Sequence, residues 1–434
     1  MSRWDSSSED EDTKERKRVA KKARQEEKTN QAAIVAPSNL PAVSSSSAST
    51  SGSADTHESV NANTNVKCDD VVATSDSNEN ANVDGDEVHE KDEKYNPLFQ
   101  GCRSVDSYQR LNFIDQGTYG MVFKAKCRET GECFALKQVK LDGTTHISKH
   151  GFPISALRET NILLALSHPN IVKVKEMVVG STLDKVFMVM ELGDADLKTC
   201  MEMSKQPFST AEVKSLMKQF LSAMKHIHDN WFIHRDLKTS NLLYSNKGII
   251  SVCDFGMARK YGSPLQCYSQ CIVTLWYRPP ELLLAWDVSD IAQHCKYSTS
   301  LDMWAVGCIF AEMLLRKPLL PGQGELDQIN QIFKLLGAPN DEKWPGFSSL
   351  PHANKVGWKA PSRSRLREVL PATSFSGGAT ISDSGFDLLS RLLVYDPAQR
   401  MNATDALNHP WFHESPLPTD IWNMPKFDFS TVRK

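Results

Sequence analysis

Nowhere in the 434 residues do 18 apolar side chains run together, so no segment reads as a helix that crosses a bilayer. The chain opens Met1-Ser2-Arg3-Trp4-Asp5 with no apolar stretch behind it, which predicts no secretory leader and a soluble intracellular protein. Its ten cysteines form no Cys-x-x-Cys pair. A chain of this size needs no disulfide staples, so reduced thiols are expected. Aromatic residues are nearly missing from residues 1–95, where only Trp4 and Tyr95 occur. That segment is crowded with Ser and Asn and carries 12 Lys/Arg against 20 Asp/Glu, a net of −8. It has too little apolar area to offset the entropy of ordering, which predicts disorder. The whole-chain totals of 50 and 53 leave 38 against 33, a net of +5, for residues 96–434. Neither balance marks a dedicated nucleic-acid domain.

What the first segment does have is a basic cluster, Lys14, Arg16, Lys17, Arg18, Lys21, Lys22 and Arg24. Nuclear import and a solvated charged stretch both account for it, and the first favours the nucleus over the cytoplasm. Order is expected from about Tyr108. Short β-type runs follow, Phe123 to Cys127 and Cys133 to Val139, joined by the turn Glu129-Thr130-Gly131-Glu132. A helix over 155–166 interrupts them. Past residue 197 the pattern becomes helical. Ser209 with Glu212 three residues on is a capping box. Behind it Val213, Leu216, Met217, Phe220, Leu221, Met224 and Ile227 keep the period of one buried helical face. The pattern predicts an α+β arrangement: a small β-rich lobe over 108–192, a larger and mostly helical lobe over 193–412, and a tail over 413–434. A ligand cleft is expected between the lobes.

The strongest chemical signal is His234-Arg235-Asp236-Leu237-Lys238-Thr239-Ser240-Asn241 followed by Asp254-Phe255-Gly256. Either motif alone is as readily a surface turn; the two in this order and spacing are not. Phosphoryl transfer asks for positioning and charge neutralisation more than covalent help. Asp236 is the candidate base for an attacking hydroxyl, an effect worth about 10²–10⁴ in rate. Lys238 is placed to neutralise charge on the transferred group, and Asn241 and Asp254 offer hard oxygen ligands to Mg²⁺. The runs Leu242-Leu243-Tyr244 and Ile249-Ile250-Ser251-Val252 read as a hairpin that returns the second metal ligand to the first. Upstream, Gln116-Gly117-Thr118-Tyr119-Gly120-Met121-Val122 reads as a glycine-rich hairpin over nucleotide phosphates. Lys137, on the next strand in Ala135-Leu136-Lys137, would hold the α- and β-phosphates and pair with Glu159 on the intervening helix.

These residues resemble the protein kinases, over roughly residues 108–415. Gly151-Phe152-Pro153-Ile154-Ser155-Ala156-Leu157-Arg158-Glu159 is similar to the helix signature of the PITSLRE group of cyclin-dependent kinases. The segments from Ser181 to Glu191, Thr274 to Arg278 and Asp302 to Ile309 match the same group, and the chain resembles the plant cyclin-dependent kinase G type within it. The resemblance implies a bilobal fold and an ATP- and Mg²⁺-dependent Ser/Thr kinase, activated by a cyclin, with L-type cyclins the family-level expectation. It also implies a preference for Ser/Thr-Pro sites, carried by Ile272, Val273 and Arg278. Ile114, Val122 and Ala135 would line the nucleotide site, Met190 would gate it, and backbone groups of Glu191 and Gly193 would meet the adenine edge. Thr274 would join the catalytic group, Asp302 would brace the catalytic loop, and Glu281 and Arg400 would pair to hold the activation segment. Arg158, Arg235 and Arg259 would converge on a phosphate at Ser269, while Thr118 and Tyr119 match inhibitory phosphorylation sites.

Four features depart from the pattern. Asp115 stands where the first glycine of the phosphate loop is usual; aimed at the phosphates from about 5 Å it would cost roughly 3 kcal/mol at an effective dielectric of 20, so an outward orientation is expected. Pro279-Pro280-Glu281 replaces Ala-Pro-Glu, the hinge Leu192-Gly193-Asp194-Ala195 lacks the aromatic and bulky apolar residues common there, and a stretch near Trp286–Cys295 is inserted. Every group expected on phosphate, metal or proton is nonetheless present. A scaffold that binds cyclin and nucleotide without catalysis is the competing reading. Cys253 reads either as a reactive thiol at the nucleotide or as a small buried hydrophobe.

Overall fold

Two periodicities divide the described chain. Up to Glu191 burial mostly follows strands, with one helix between them, and after Leu197 it mostly follows helices. The computed structural model describes residues 101–117, 120–139, 154–180, 185–262, 273–284, 298–350, 352–353, 360–373 and 378–429, all within one compact unit. The acidic first segment with its basic cluster, Thr118, Tyr119, Ser269, Ile272 and the inserted stretch lie outside them.

Among the described residues the small lobe is a six-stranded sheet with one helix. Its strands are β1 (Arg103–Ser104), β2 (Tyr108–Gly117), β3 (Gly120–Cys127), β4 (Cys133–Gln138), β5 (Val174–Val179) and β6 (Val186–Glu191). They lie in the order β1-β5-β6-β4-β3-β2, antiparallel except for β1 with β5. Lys137 is therefore on an interior strand, opposite Val122 on one side and Met188 on the other. Gly120 is fixed by backbone packing as well as by any phosphate: with φ 151, a Cβ there would sit 1.8 Å from the Gln138 carbonyl oxygen. Helix α1 (Ile154–Ala165) turns Glu159, Ile162 and Leu163 inward.

In the larger lobe β7 (Ala195–Asp196) leads into α2 (Leu197–Met203) and α3 (Thr210–Asp229). Ser209 and Glu212 cap α3 reciprocally, and all seven apolar residues of its periodic face are buried. Then come β8 (Phe232–Ile233), β9 (Leu242–Ser245), β10 (Ile249–Val252) and β11 (Arg259–Lys260). β9 and β10 form the expected hairpin, β7 pairs with β9, and β8 pairs with β11. After α4 (Pro280–Leu284) the chain enters α5 (Ser300–Leu315), whose residues 300–314 are buried on every side. Such a helix belongs at the centre of a lobe, and the groups that hold the site in place are hung from it. Among the described residues the remaining α-helices are α6 (Glu325–Leu336), α7 (Leu366–Val369), α8 (Asp383–Leu392) and α9 (Ala403–Leu407). Beyond Phe412 the chain runs back along α3: Lys214, fully buried, donates to the carbonyls of Glu414 (2.9 Å) and Pro416 (2.8 Å). The α+β, two-lobed arrangement is the one anticipated. Among the described residues no helix is long and apolar enough to cross a membrane.

Candidate active site

Strand β4 and helix α1 bring Lys137 and Glu159 together at the back of the cleft. Lys137 Nζ donates to Glu159 Oε1 at 2.7 Å and to Asp254 Oδ1 at 3.0 Å. Burial opposes the ammonium charge, but the carboxylates of Glu159 and Asp254 outweigh it and hold the group above the ordinary lysine range. At Asp254 burial likewise opposes the charge, and the ammonium of Lys137 reverses the balance, leaving the carboxyl below its ordinary range. Asp254 is thus an anion at neutral pH. Its backbone is left-handed at φ 61 and ψ 72, a conformation that costs a side-chain-bearing residue about 1–2 kcal/mol. Strain of this kind gathers at functional sites.

The loop at 234–241 is suspended from α5. Asp302, with no exposed surface, accepts from the Arg235 N–H on Oδ1 and from the His234 N–H and His228 Nε2 on Oδ2, each at 2.9 Å. Burial would raise this carboxyl; the hydrogen bond from His228 and the neighbouring His234 and Arg235 groups outweigh it and hold it low. Arg235 is itself left-handed at φ 69. The His234 ring then bridges two loops, accepting from the Asp236 N–H on Nδ1 (3.3 Å) while Nε2 lies 3.0 Å from the Cys253 carbonyl, with its edge on Phe255. Nδ1 as the acceptor makes Nε2 the donor.

Around Asp236, Oδ1 accepts from Thr274 Oγ1 (2.9 Å) and N–H (3.2 Å), and Oδ2 accepts from Lys238 Nζ (3.0 Å) and Asn241 Nδ2 (3.3 Å). Asn241 Nδ2 also donates to the Asp236 carbonyl at 2.7 Å. The amide nitrogen is thereby committed to Asp236, which leaves Oδ1 as the group to offer a cation. Oδ1 of Asn241 and the Asp254 carboxylate are the hard oxygen donors Mg²⁺ takes when phosphates and waters complete its shell.

The cleft between the lobes has a volume of about 820 Å³, within the range of small-molecule sites. Ile114, Gly120, Val122, Ala135, Lys137, Glu159, Met190, Glu191, Gly193, Asn241 and Asp254 all line it. Gly117 ends β2 directly opposite Gly120. Asp115 lies exposed on the lip. Val172, Asp196, Thr199 and Leu243 also line the cleft and were not anticipated. Two carried a readable signal. Asp196 caps α2 through Thr199, three residues on, at 2.9 Å to its N–H and 2.6 Å to its hydroxyl; Leu243 is the outward alternate of the buried Leu242. Val172 had none. Cys253 lines the cleft too, but burial holds its thiol well above the ordinary range, so it sits there as a small apolar group.

Beyond the cleft, Glu281 and Arg400 form a bidentate pair at 2.7 and 2.9 Å, with Arg400 also donating to the carbonyls of Ser300, Val394 and Tyr395. Glu312 on α5 accepts from Thr239 (3.1 Å) and Tyr277 (2.7 Å), and burial raises its carboxyl despite both bonds. Arg235 Nε donates to the Met257 carbonyl at 2.7 Å, and Arg259 Nη1 donates to the Ala258 carbonyl at 2.8 Å and lies 3.4 Å from that of Met257. Arg158 is half-buried on α1, which packs against the turn at Phe255–Met257.

The protein kinase domain model matches residues 108–412. Cyclin-dependent kinase G-2 of Oryza sativa subsp. indica is 53% identical over 330 residues, covering 76% of this chain and 45% of the relative. Cyclin-dependent kinase G1 of Arabidopsis thaliana is 50% identical over 351 residues, 79% and 56% of the two chains. Cyclin-dependent kinase 11B of Rattus norvegicus is 51% identical over 327 residues, 75% of this chain and 71% of that one. The chain thus spans about half the length of the two plant relatives.

Proposed function

The chain belongs to the protein kinases, and within them to the cyclin-dependent kinases, and from that premise we propose that it transfers the γ-phosphoryl group of ATP to Ser or Thr hydroxyls of proteins. One observation carries the reading: Lys137, Glu159, Asn241 and Asp254 line one cleft, and Asp236 with Lys238 is joined to Asn241 by hydrogen bonds. Asp236 accepts the hydroxyl proton, held in place by Thr274 and Lys238. Lys137 neutralises the α- and β-phosphates, and Asn241 and Asp254 would hold Mg²⁺, which when bound would supply charge neutralisation at the transferred group. A scaffold without catalysis gains nothing from the site, since Lys137, Asp236 and Asp254 are all in place.

Activation by a cyclin is supported by α1. Opposite Glu159, the apolar Ile154, Leu157 and Leu164 are 71%, 46% and 63% exposed at helical spacing, a stripe that asks for a covering partner. L-type cyclins remain the family-level choice. A preference for proline after the target hydroxyl is supported by Val273, left-handed at φ 66, whose carbonyl accepts from Arg278 Nη2 at 3.1 Å. A carbonyl so occupied is withheld from a substrate N–H, and proline has none to satisfy. Phosphorylation at Ser269 would engage the arginines, Thr118 and Tyr119 would serve inhibition, and the Lys14–Arg24 cluster would direct the protein to the nucleus.

The test is to co-purify the full chain with an L-type cyclin and measure phosphate incorporation into Ser-Pro peptides. Asp236→Asn should lose at least about 10² in rate. Equal incorporation by both would identify a contaminating kinase and return the scaffold reading. Leu157→Asp should weaken cyclin co-purification, and Ser269→Ala should lower activity.

A further inference from the structure

The stretch beyond Ile421, which has no assigned part in the chemistry, is tied to the nucleotide cleft by a short relay. Asn246, at the tip of the β9–β10 hairpin, faces two ways. Its side chain pairs with Phe427 at both ends, Nδ2 donating to the Phe427 carbonyl (2.9 Å) and Oδ1 accepting from the Phe427 N–H (2.8 Å). Its backbone N–H donates to Asp194 Oδ2 at 2.8 Å, and Ser245 Oγ reaches the same oxygen at 3.3 Å. Asp194 in turn donates its own N–H to the Tyr244 carbonyl at 3.1 Å. It directly follows Gly193, one of the residues lining the cleft.

The contact is closely fitted along its length. The Tyr244 hydroxyl donates to the Pro425 carbonyl at 2.5 Å, and Phe427 meets Tyr244 and Phe208 edge-on at 5.6 and 6.3 Å. Gly248 is left-handed at φ 76, and a Cβ there would lie 1.9 Å from the Ile421 carbonyl oxygen and 2.9 Å from Met424 Cβ. On the cleft side the tolerance is equally small, since a Cβ on Gly193 would lie 2.8 Å from Leu243 Cβ. Leu243 is on the same hairpin as Asn246, so the loop at 193–194 and the floor beneath it share one support.

The geometry points to the segment 421–429 as a positioning element of the nucleotide site, acting through Asn246 on the loop at Gly193 and Asp194. This loop has no bulky residue to wedge itself in place, and the clamp from the tail takes over that role. The inference rests on the reading of the cleft as an ATP site and deepens it.

The experiment uses the full chain with its cyclin and three variants: Asn246→Ala, Phe427→Ala and a chain ending after residue 420. Binding of a fluorescent ATP analogue and the steady-state constants for ATP and peptide are measured together. Loss of the two-point amide clamp should raise the ATP-analogue Kd and the ATP KM about tenfold, which corresponds to about 1.4 kcal/mol. The kcat at saturating ATP and the peptide KM should stay within about twofold. Asn246→Asp keeps one acceptor for the Phe427 N–H and should fall between Asn246→Ala and the native chain. Native-like ATP constants in both point variants overturn the inference, as does a fall in kcat with ATP KM unchanged, the mark of a merely structural role. If the shortened chain fails to fold, the point variants decide. A native chain that binds no ATP analogue removes the ATP reading and the inference with it; a native chain that binds, with variants that bind equally, removes the inference alone.

Discussion

Replacing Asp302 by Asn changes one atom in a buried site and should nonetheless disable the protein. Each carboxylate oxygen serves a different backbone N–H of the catalytic loop, and Oδ2 also meets His228. An amide has one acceptor oxygen, so one N–H must face an NH₂ group in a place with no water to replace it. A hydrogen bond to a charged group is worth about 1.5–3 kcal/mol, and a stranded buried donor costs about 1–3 kcal/mol. Together the substitution should cost about 3–5 kcal/mol, or a fall in Tm of about 10 °C at roughly 2–4 °C per kcal/mol for a domain of this class. The loop should also lose its left-handed Arg235, displacing Asp236. A shift of about 1 Å at a reacting group costs about 10² in rate. The pH dependence follows from the same carboxyl. Its folded pKa lies below the unfolded value of about 3.9, so its stabilisation is fully present above that value and is lost as pH falls through the lower folded one. The Tm gap between the native chain and Asp302→Asn should therefore be flat from about pH 5 to 8 and close only below about pH 4. Thermal unfolding across that range, with peptide phosphorylation at neutral pH, reads both effects. A variant within about 2 °C of the native chain and with native kcat would refute the account.

Lys137→Met should lower kcat/KM for ATP by about 10²–10³, the loss expected when one preorganised cationic donor is removed; steady-state kinetics with a Ser-Pro peptide check it. Arg400→Met leaves the partly buried Glu281 without its cation and three carbonyls without their donor, and should cost about 3–5 kcal/mol in chemical unfolding. If it costs less than about 1 kcal/mol, the ion pair does not hold the end of the activation segment. Cys253, its thiol raised by burial, should resist iodoacetamide at pH 8 while the exposed Cys133 is alkylated. Peptide mapping by mass spectrometry that found Cys253 modified first would contradict this.

Motifs whose partners are close in sequence were the legible ones. The box at Ser209 and Glu212 closes within one turn, the β9–β10 hairpin closes over four residues, and the face Val213–Ile227 is read from its period alone. The order of Lys137, Glu159, Asp236, Asn241 and Asp254 was legible because no other chemistry asks for those groups in that sequence. Illegible parts depend on distant approach. Nothing local to Lys214 says that a lysine on an apolar face finds the carbonyls of Glu414 and Pro416, 200 residues away. Val172 looks like any buried apolar residue until the lobes face each other. The need for glycine at 120 was read as room for phosphate, whereas the Gln138 carbonyl already imposes it.

The bridging ring of His234 has a consequence for how such a protein can be switched off. Its two nitrogens grip Asp236 and the residue just ahead of Asp254. A displacement of the backbone at Cys253 therefore loads the imidazole and, through the same ring, the Asp236 amide.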